Sequence, residues 1–284
     1  MDKKQVRKHE FLDFVVYKIF SSEYNENFVL EGSEGIFIKS LNRRLIYYKL
    51  PKDLDLNIIS LKGTAEKIEK TLKGIFQEEK DIEIKLDQKL YEERERIRFK
   101  IKQINNEGDS VSNLGVDVVL ENQNFTIEWE EFNFNEHKIN IQTYNIEKYI
   151  ANKIISLRKV HNKNRNYLSG KIDLNKFISK NEFQNITEIC WLFNNYSSEL
   201  KEILRNLKLM YDPKIFNVSL LEYIEYLAKY FRNSITNDDI IAFIHYKKWS
   251  LEYFDFMAYL RSNFDNLVRL LKREVNDENR TDNL

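Results

Sequence analysis

The spacing of apolar residues changes once along this chain, at Asn145, and does not change back. Before that point, Ile82-Glu-Ile-Lys-Leu86 and Ile97-Arg-Phe-Lys-Ile-Lys-Gln-Ile104 alternate strictly, as strands with one wet and one dry face do. After it, every segment to Arg273 carries helical spacing. Strands early and helices late argue an α+β domain over residues 1–144 joined to a helical domain over 145–284. A chain of 284 residues is long enough for both.

Within the first part, Phe11, Leu12, Val15, Val16, Ile19 and Phe20 predict a helix from about His9. Phe28-Val-Leu reads as a buried strand ending at Gly32-Ser33, followed by a helix with Ile36, Phe37, Ser40 and Leu41 on one stripe. Leu45–Tyr48 and Leu54–Ile59 are β-prone, with Pro51 limiting pairing between them. Thr64 caps a predicted helix to about Phe76, and strands are expected at Gly115–Leu120, Phe125–Trp129 and Lys138–Ile141. Seven helical segments follow: 145–161, 173–180, 185–194, 198–210, 218–232, 236–246 and 250–273. The polar stretch from Asn276 is expected to fray.

Composition narrows the function. Lys plus Arg and Asp plus Glu each number 45, so any polyanion site must be a local patch. Lys148 to Lys176 carries eight Lys or Arg against Asp173, whereas Asp117 to Glu136 carries six acids and no base. The first is either a basic strip or a solvated helix face. Cys190, in the apolar run Ile-Cys-Trp-Leu-Phe, reads as a buried inert thiol, which leaves no disulfide and no cysteine zinc site. The four histidines lack zinc-ligand spacing, and no Walker loop, kinase signature or Gly-x-Ser-x-Gly occurs. The basic N-terminus is interrupted by Asp, Glu and His, so no signal peptide or membrane span is expected, and a cytoplasmic location follows.

Asp53-Leu-Asp55 puts two carboxylates on one strand face, where they can share a divalent cation. Gly32-Ser33, at a strand-to-helix turn, lets backbone approach a phosphate beside a helix N-terminus. Asp117 is the lone acid in the apolar strand Gly115-Val-Asp-Val-Val-Leu120 and is the third candidate ligand. Each has a plainer reading. Asp53-Leu-Asp55 alone is also the pattern of a solvated strand end, and Arg43 and Arg44 that of surface ion pairs. Tyr167, Trp191, Tyr196, Trp249 and Tyr253 could stack bases or fill a core.

The order of apolar strand, Gly32-Ser33, helix, Arg43-Arg44, Asp53-Leu-Asp-Leu56 and Asp117 resembles the polymerase-beta-like nucleotidyltransferases, in detail the AbiEii/AbiGii toxin family. Tyr144-Asn-Ile-Glu-Lys-Tyr-Ile-Ala-Asn-Lys153 looks like that family's helix with a functional lysine, and Arg165 with Lys171-Ile-Asp173 looks like its last element. Glu34 and Gly35 depart from it, standing where the family prefers Thr and Ala. Lys171-Ile-Asp173 is degenerate, and a second alignment puts Ile172 and Asn175 at the acidic positions.

The resemblance implies a mixed-sheet nucleotidyltransferase domain whose cleft receives Lys153 from the helical domain. It implies Mg²⁺ or Mn²⁺ on Asp53, Asp55 and Asp117, with Lys153 and Asp173 completing the catalytic set. An NTP would lie on Gly32, Ser33, Arg43, Arg44 and Lys153. The implied acceptor is RNA, tRNA 3′ ends included, or protein, in a toxin-antitoxin or phage-defence pair with a cognate antitoxin. The alternative is the same fold with a decayed site, acting as an RNA- or protein-binding module. Lys153 is then a solvated helix lysine.

Overall fold

The computed structural model describes residues 3–45, 50–59, 64–92, 94–158, 180–247 and 255–281. The chain divides into two compact units, Met1–Asn145 and Ile146–Leu284.

In the first unit, α1 (Lys3–Phe20) turns Phe11, Leu12, Val15, Val16, Ile19 and Phe20 inward along a single helical stripe. The elements that follow are β1 (Phe28–Glu31), α2 (Gly32–Asn42), β2 (Leu54–Ile58) and α3 (Ala65–Ile75). Five strands then run consecutively: β3 (Ile82–Glu92), β4 (Arg94–Ile104), β5 (Ser110–Leu120), β6 (Ile127–Phe134) and β7 (His137–Tyr144). The seven described strands form one mixed sheet in the order β3-β4-β5-β2-β1-β7-β6. β1 runs antiparallel to β2 and parallel to β7, and β2 runs parallel to β5. The unit is therefore α+β with a mixed sheet.

Alternation decides which side chains reach the core. Leu54, Leu56 and Ile58 of β2, Ile97, Phe99 and Ile101 of β4, and Leu114, Val116 and Val118 of β5 pack with α1 and α3. The residues between them, Asp55, Arg96, Arg98 and Asp117 included, fall on the opposite face. Each buried Leu, Ile or Phe contributes about 1.5–3 kcal/mol. A slip of one residue would exchange those side chains for carboxylates, so the core fixes the register of the acids.

Two local expectations change. The stripe of α2 was to be Ile36, Phe37, Ser40 and Leu41, but Leu41 is 55% exposed while Ile38 and Lys39 are buried. β6 is the cause: fully buried Lys39 Nζ reaches Glu128 at 2.6 Å and Glu130 at 2.9 Å, which draws that side of the helix inward. Thr64 occupies the N-cap of α3 but makes no side-chain cap bond. The expected strand at Leu45–Tyr48 lies largely outside the described residues.

The second unit contains α4 (Ile146–Ile155), α5 (Lys180–Asn195), α6 (Leu200–Met210), α7 (Pro213–Phe216), α8 (Leu220–Asn233), α9 (Asn237–Lys247) and α10 (Phe256–Thr281). Ser219 and Glu222 form a capping box on α8, and Thr236 with Asp239 exchange equivalent bonds before α9. α10 buries Phe256, Leu260, Phe264, Leu267 and Leu271. It continues to Thr281 rather than fraying from Asn276, since polar residues such as Lys272 and Glu274 preclude burial but not helicity. Cys190 is fully buried, and burial pushes its thiol up, as an inert cysteine requires. No described helix is long and apolar enough to cross a membrane.

Candidate active site

Strand register assembles the site. Glu31 of β1 stands opposite Asp55 of β2, Asp55 opposite Asp117 of β5, and Asp117 opposite Arg98 of β4. Residues directly opposite share a face, so one row crosses four neighbouring strands. The chain leaves the end of this row through Gly32, whose φ of +69° is left-handed, and enters α2 at once. A Cβ on Gly32 would lie 2.0 Å from Asp55 Oδ2, so glycine is needed both for the turn and for the approach to the acid. Ser33 follows, half-buried, in the first turn.

Arg96 and Arg98 enter the same site. The Arg96 guanidinium hydrogen-bonds Asp117 Oδ2 and lies 3.8 Å from Asp55 Oδ1, while Arg98 Nε is 3.4 Å from Asp117 Oδ1. Asp117 itself is buried, and its Oδ1 accepts no hydrogen bond. Asp53 stands at the rim, half-exposed, with Oδ1 3.6 Å from Lys8 Nζ. Gly115 of β5 keeps the floor open: a Cβ there would meet Arg98 at 3.0 Å and Asp53 Oδ1 at 3.6 Å. Neither arginine was singled out in the sequence, although their alternation with Ile97 and Phe99 already put them on the wet face.

The donor set suits a hard divalent cation, since Asp53, Asp55 and Asp117 offer only carboxylate oxygens. Asp117 Oδ1, buried without a hydrogen bond, is the atom in the row best fitted to such an ion. Among the described residues, however, no group of three or more Asp, Glu, His or Cys is gathered closely enough to hold a metal as the chain stands. Arg96 lies between the two central acids instead.

Arg43 and Arg44 stand apart from this row. α2 begins at Gly32 and so carries Arg43 and Arg44 to its far end, about 16 Å away at 1.5 Å per residue. Arg43 Nη1 is 3.2 Å from Glu130, and Arg44 takes a left-handed φ of 57° where the helix closes. The acidic stretch after Asp117 is largely consumed by these pairings: Glu128 and Glu130 by Lys39, Glu131 by Lys138. Lys148 is fully buried rather than part of a solvated face, and most of the expected basic strip lies outside the described residues. Trp191 and Tyr196 are buried and pack edge to face at 5.8 Å. Asp173, Arg165, Lys171, Ile172, Asn175, Tyr167, Trp249 and Tyr253 all lie outside the described residues.

Lys153 belongs to the second unit, on α4, with Nζ 2.6 Å from Glu188 of α5. Glu188 is almost wholly buried, with Gln184 Nε2 also donating to its Oε1 at 3.0 Å, so Lys153→Ala should lower stability by up to about 3 kcal/mol by removing the cation nearest a buried charge. Denaturant unfolding checks this, and adding Glu188→Gln should restore most of the loss. An unchanged midpoint in Lys153→Ala would show that the pair is not what Lys153 is for.

One carboxylate of the first unit has no such partner. Glu34, two residues beyond Gly32, is fully buried and neither oxygen accepts a hydrogen bond from the described residues. Burial raises its pKa well above the ordinary value, and Asp13 of α1 adds to the effect.

Comparison with known proteins places the chain in no family: no family model matches, and neither does any curated protein. Among solved structures it is similar to JHP933 from Helicobacter pylori, with TM-score 0.49, 11% identity, and 99% of each chain covered. It is also similar to an H. pylori protein described provisionally as a nucleotidyltransferase, with TM-score 0.48, 11% identity, and coverage of 96% of this chain and 98% of the other.

Proposed function

We propose that this protein transfers a nucleoside monophosphate from an NTP to an acceptor hydroxyl. The observation that carries the reading is the close approach of Gly32 and Asp55: a glycine turn at the start of a helix abuts an acid that faces a second acid, Asp117, in register. Gly32 and Ser33 receive the phosphates at the start of α2, where backbone N–H groups and the helix dipole favour negative charge. Asp55 and Asp117, with Asp53 at the rim, would hold Mg²⁺ or Mn²⁺. When bound, that ion supplies charge neutralisation of the triphosphate and of the transition state.

The residues provide the rest. Asp117 Oδ2, released by Arg96, receives the proton of the acceptor hydroxyl, while Oδ1 is kept for the ion. The acceptor oxygen bonds to the α-phosphorus as the bond to pyrophosphate breaks. Arg96 and Arg98 exchange their carboxylate partners for the oxygens of the departing pyrophosphate. The family resemblance carried by Gly32-Ser33 and Asp53-Leu-Asp55 extends the proposal to a toxin of a defence pair, acting on RNA or protein and held in check by an antitoxin.

Incubation of the full chain with each α-labelled NTP, Mg²⁺ or Mn²⁺, and total RNA or protein tests the reaction. Label should reach a macromolecule and fall at least about 100-fold in Asp55→Asn and in Asp117→Asn. Label that persists undiminished in both variants would sink the assignment. Metal-dependent NTP binding without transfer would favour the binding-module alternative.

A further inference from the structure

Arg96 is not the cross-strand partner of the acid it bonds. In the antiparallel register of β4 and β5 it stands opposite Val119, whereas Arg98 stands opposite Asp117. Directly opposed residues are the nearest neighbours on a sheet face, so Arg98 by itself gives Asp117 a cation, at 3.4 Å. The Arg96 guanidinium nevertheless reaches back along the sheet to bond Asp117 Oδ2 and to lie 3.8 Å from Asp55 Oδ1. It is the side chain that spans the acids of β2 and β5, as a cation shared between them would.

Burial sets how firmly each partner is held. The Asp117 side chain is 8% exposed and needs a positive neighbour, because a buried carboxylate left alone is costly. The Arg96 side chain is 45% exposed, so it can swing into water on its flexible stem at little cost. Asp55, at 36%, is open enough to exchange its partner as well. One positive charge therefore covers two acids and is loosely anchored. Among the described residues the carboxylates are not gathered closely enough around it to hold a metal as they stand. A divalent ion on Asp55 and Asp117 would stand beside that guanidinium, and like charges this close repel strongly where water is partly excluded.

We infer that Arg96 is the resident counter-ion of the acid row and excludes a free divalent cation from it, so that a triphosphate, by drawing the guanidinium onto its own oxygens, admits the ion. The exclusion stands on the geometry of Arg96, Asp55 and Asp117; the part given to the triphosphate rests on the transfer reaction proposed above. A triphosphate fits because a guanidinium grips phosphate oxygens with the same fork it offers a carboxylate, so Arg96 loses no bond when it leaves the acids.

The test titrates the full chain with Mn²⁺ at fixed ionic strength and without nucleotide, reading the free ion by electron paramagnetic resonance. Arg96→Met removes the guanidinium and keeps a long side chain. Lys100→Met is the control: it removes the same charge from the same face of β4, at a residue opposite Lys85 and Gly115 that no acid faces from either strand. Arg96→Met should bind Mn²⁺ about tenfold or more tighter than the unmodified protein, and Lys100→Met within about threefold of it. Adding Asp117→Asn to Arg96→Met should remove the gain. Equal affinity in Arg96→Met and the unmodified protein, equal gains in the two variants, or a gain that survives Asp117→Asn would each overturn the exclusion. Thermal melting checks the fold, and Arg96→Gln takes the place of Arg96→Met should that variant show no transition. Calorimetry with α,β-methylene-ATP, whose α–β bridge cannot be cleaved, reads the triphosphate. The ratio of the affinity for its Mn²⁺ complex to that for Mn²⁺ alone should fall about tenfold in Arg96→Met, and an unchanged ratio would remove the triphosphate's part. Exclusion of the ion by a protein that transfers no nucleotide would uphold Arg96 and remove the reaction. Transfer with a metal affinity untouched by Arg96→Met would do the reverse.

Discussion

Gly32→Ala should abolish nucleotidyl transfer to the level of Asp55→Asn and destabilise the first unit at the same time. Two costs combine. Alanine at a φ of +69° costs about 1 kcal/mol or more for the left-handed backbone. The added Cβ would meet Asp55 Oδ2 at 2.0 Å, Cγ at 2.8 Å and Cβ at 3.0 Å, distances that no rotation of a methyl relieves. Asp55 must swing away from its row or β1 must part from β2, at the roughly 1–3 kcal/mol typical of overpacking. A double-mutant cycle separates the costs. In an Asp55→Ala background the two nearest atoms are gone, so the destabilisation by Gly32→Ala should shrink by about 1 kcal/mol or more. Purely additive losses in urea unfolding would mean that Gly32 is needed for its φ alone and that the contact with Asp55 has no energetic weight.

That contact also marks how far the sequence could be read. The strand, glycine turn and helix over residues 28–42 follow from local pattern, because an apolar run, a Gly-Ser pair and a helical stripe are each set by near neighbours. β4 was legible as a strand with a wet face for the same reason. That its wet face meets Asp117 was not, since pairing of Arg98 with Asp117 depends on a strand order in which β5 lies between β4 and β2. Lys39 and Arg43 show the same limit. Their counter-ions on β6 lie some ninety residues away in sequence, so neither the burial of the lysine nor the occupation of the arginine is visible in the spacing of α2. In the sequence Glu34 stands out only as a departure from a family preference, whereas its burial follows from α2 being covered on nearly every side.

Glu34→Gln should stabilise the protein at pH 8 and flatten its dependence on pH. Burial raises Glu34 well above its ordinary range, helped by Asp13, whose own pKa is pushed up to about 7 by burial and then by Glu10. Both acids therefore hold protons in the folded state over a range in which the unfolded chain has released them. The unfolded state binds fewer protons there, so stability falls as pH rises, by up to about 1.4 kcal/mol per pH unit for each group. For Asp13 the window runs from near its ordinary value of 3.8 to about 7. His9, whose Nε2 is 3.8 Å from Asp13, works the other way: burial lowers its pKa, so it costs stability as pH falls below about 6.5. Above that pH the histidine is neutral in both states, so the descending slope of the acids is unopposed. A carboxamide keeps the shape of Glu34 and cannot ionise, so the variant should gain at least about 1 kcal/mol at pH 8 and little at pH 5. Denaturant titrations of both proteins from pH 5 to 8 check the sign. A Glu34→Gln curve that runs parallel to the unmodified one, or lies below it at pH 8, would show that this buried carboxylate is compensated in the folded chain.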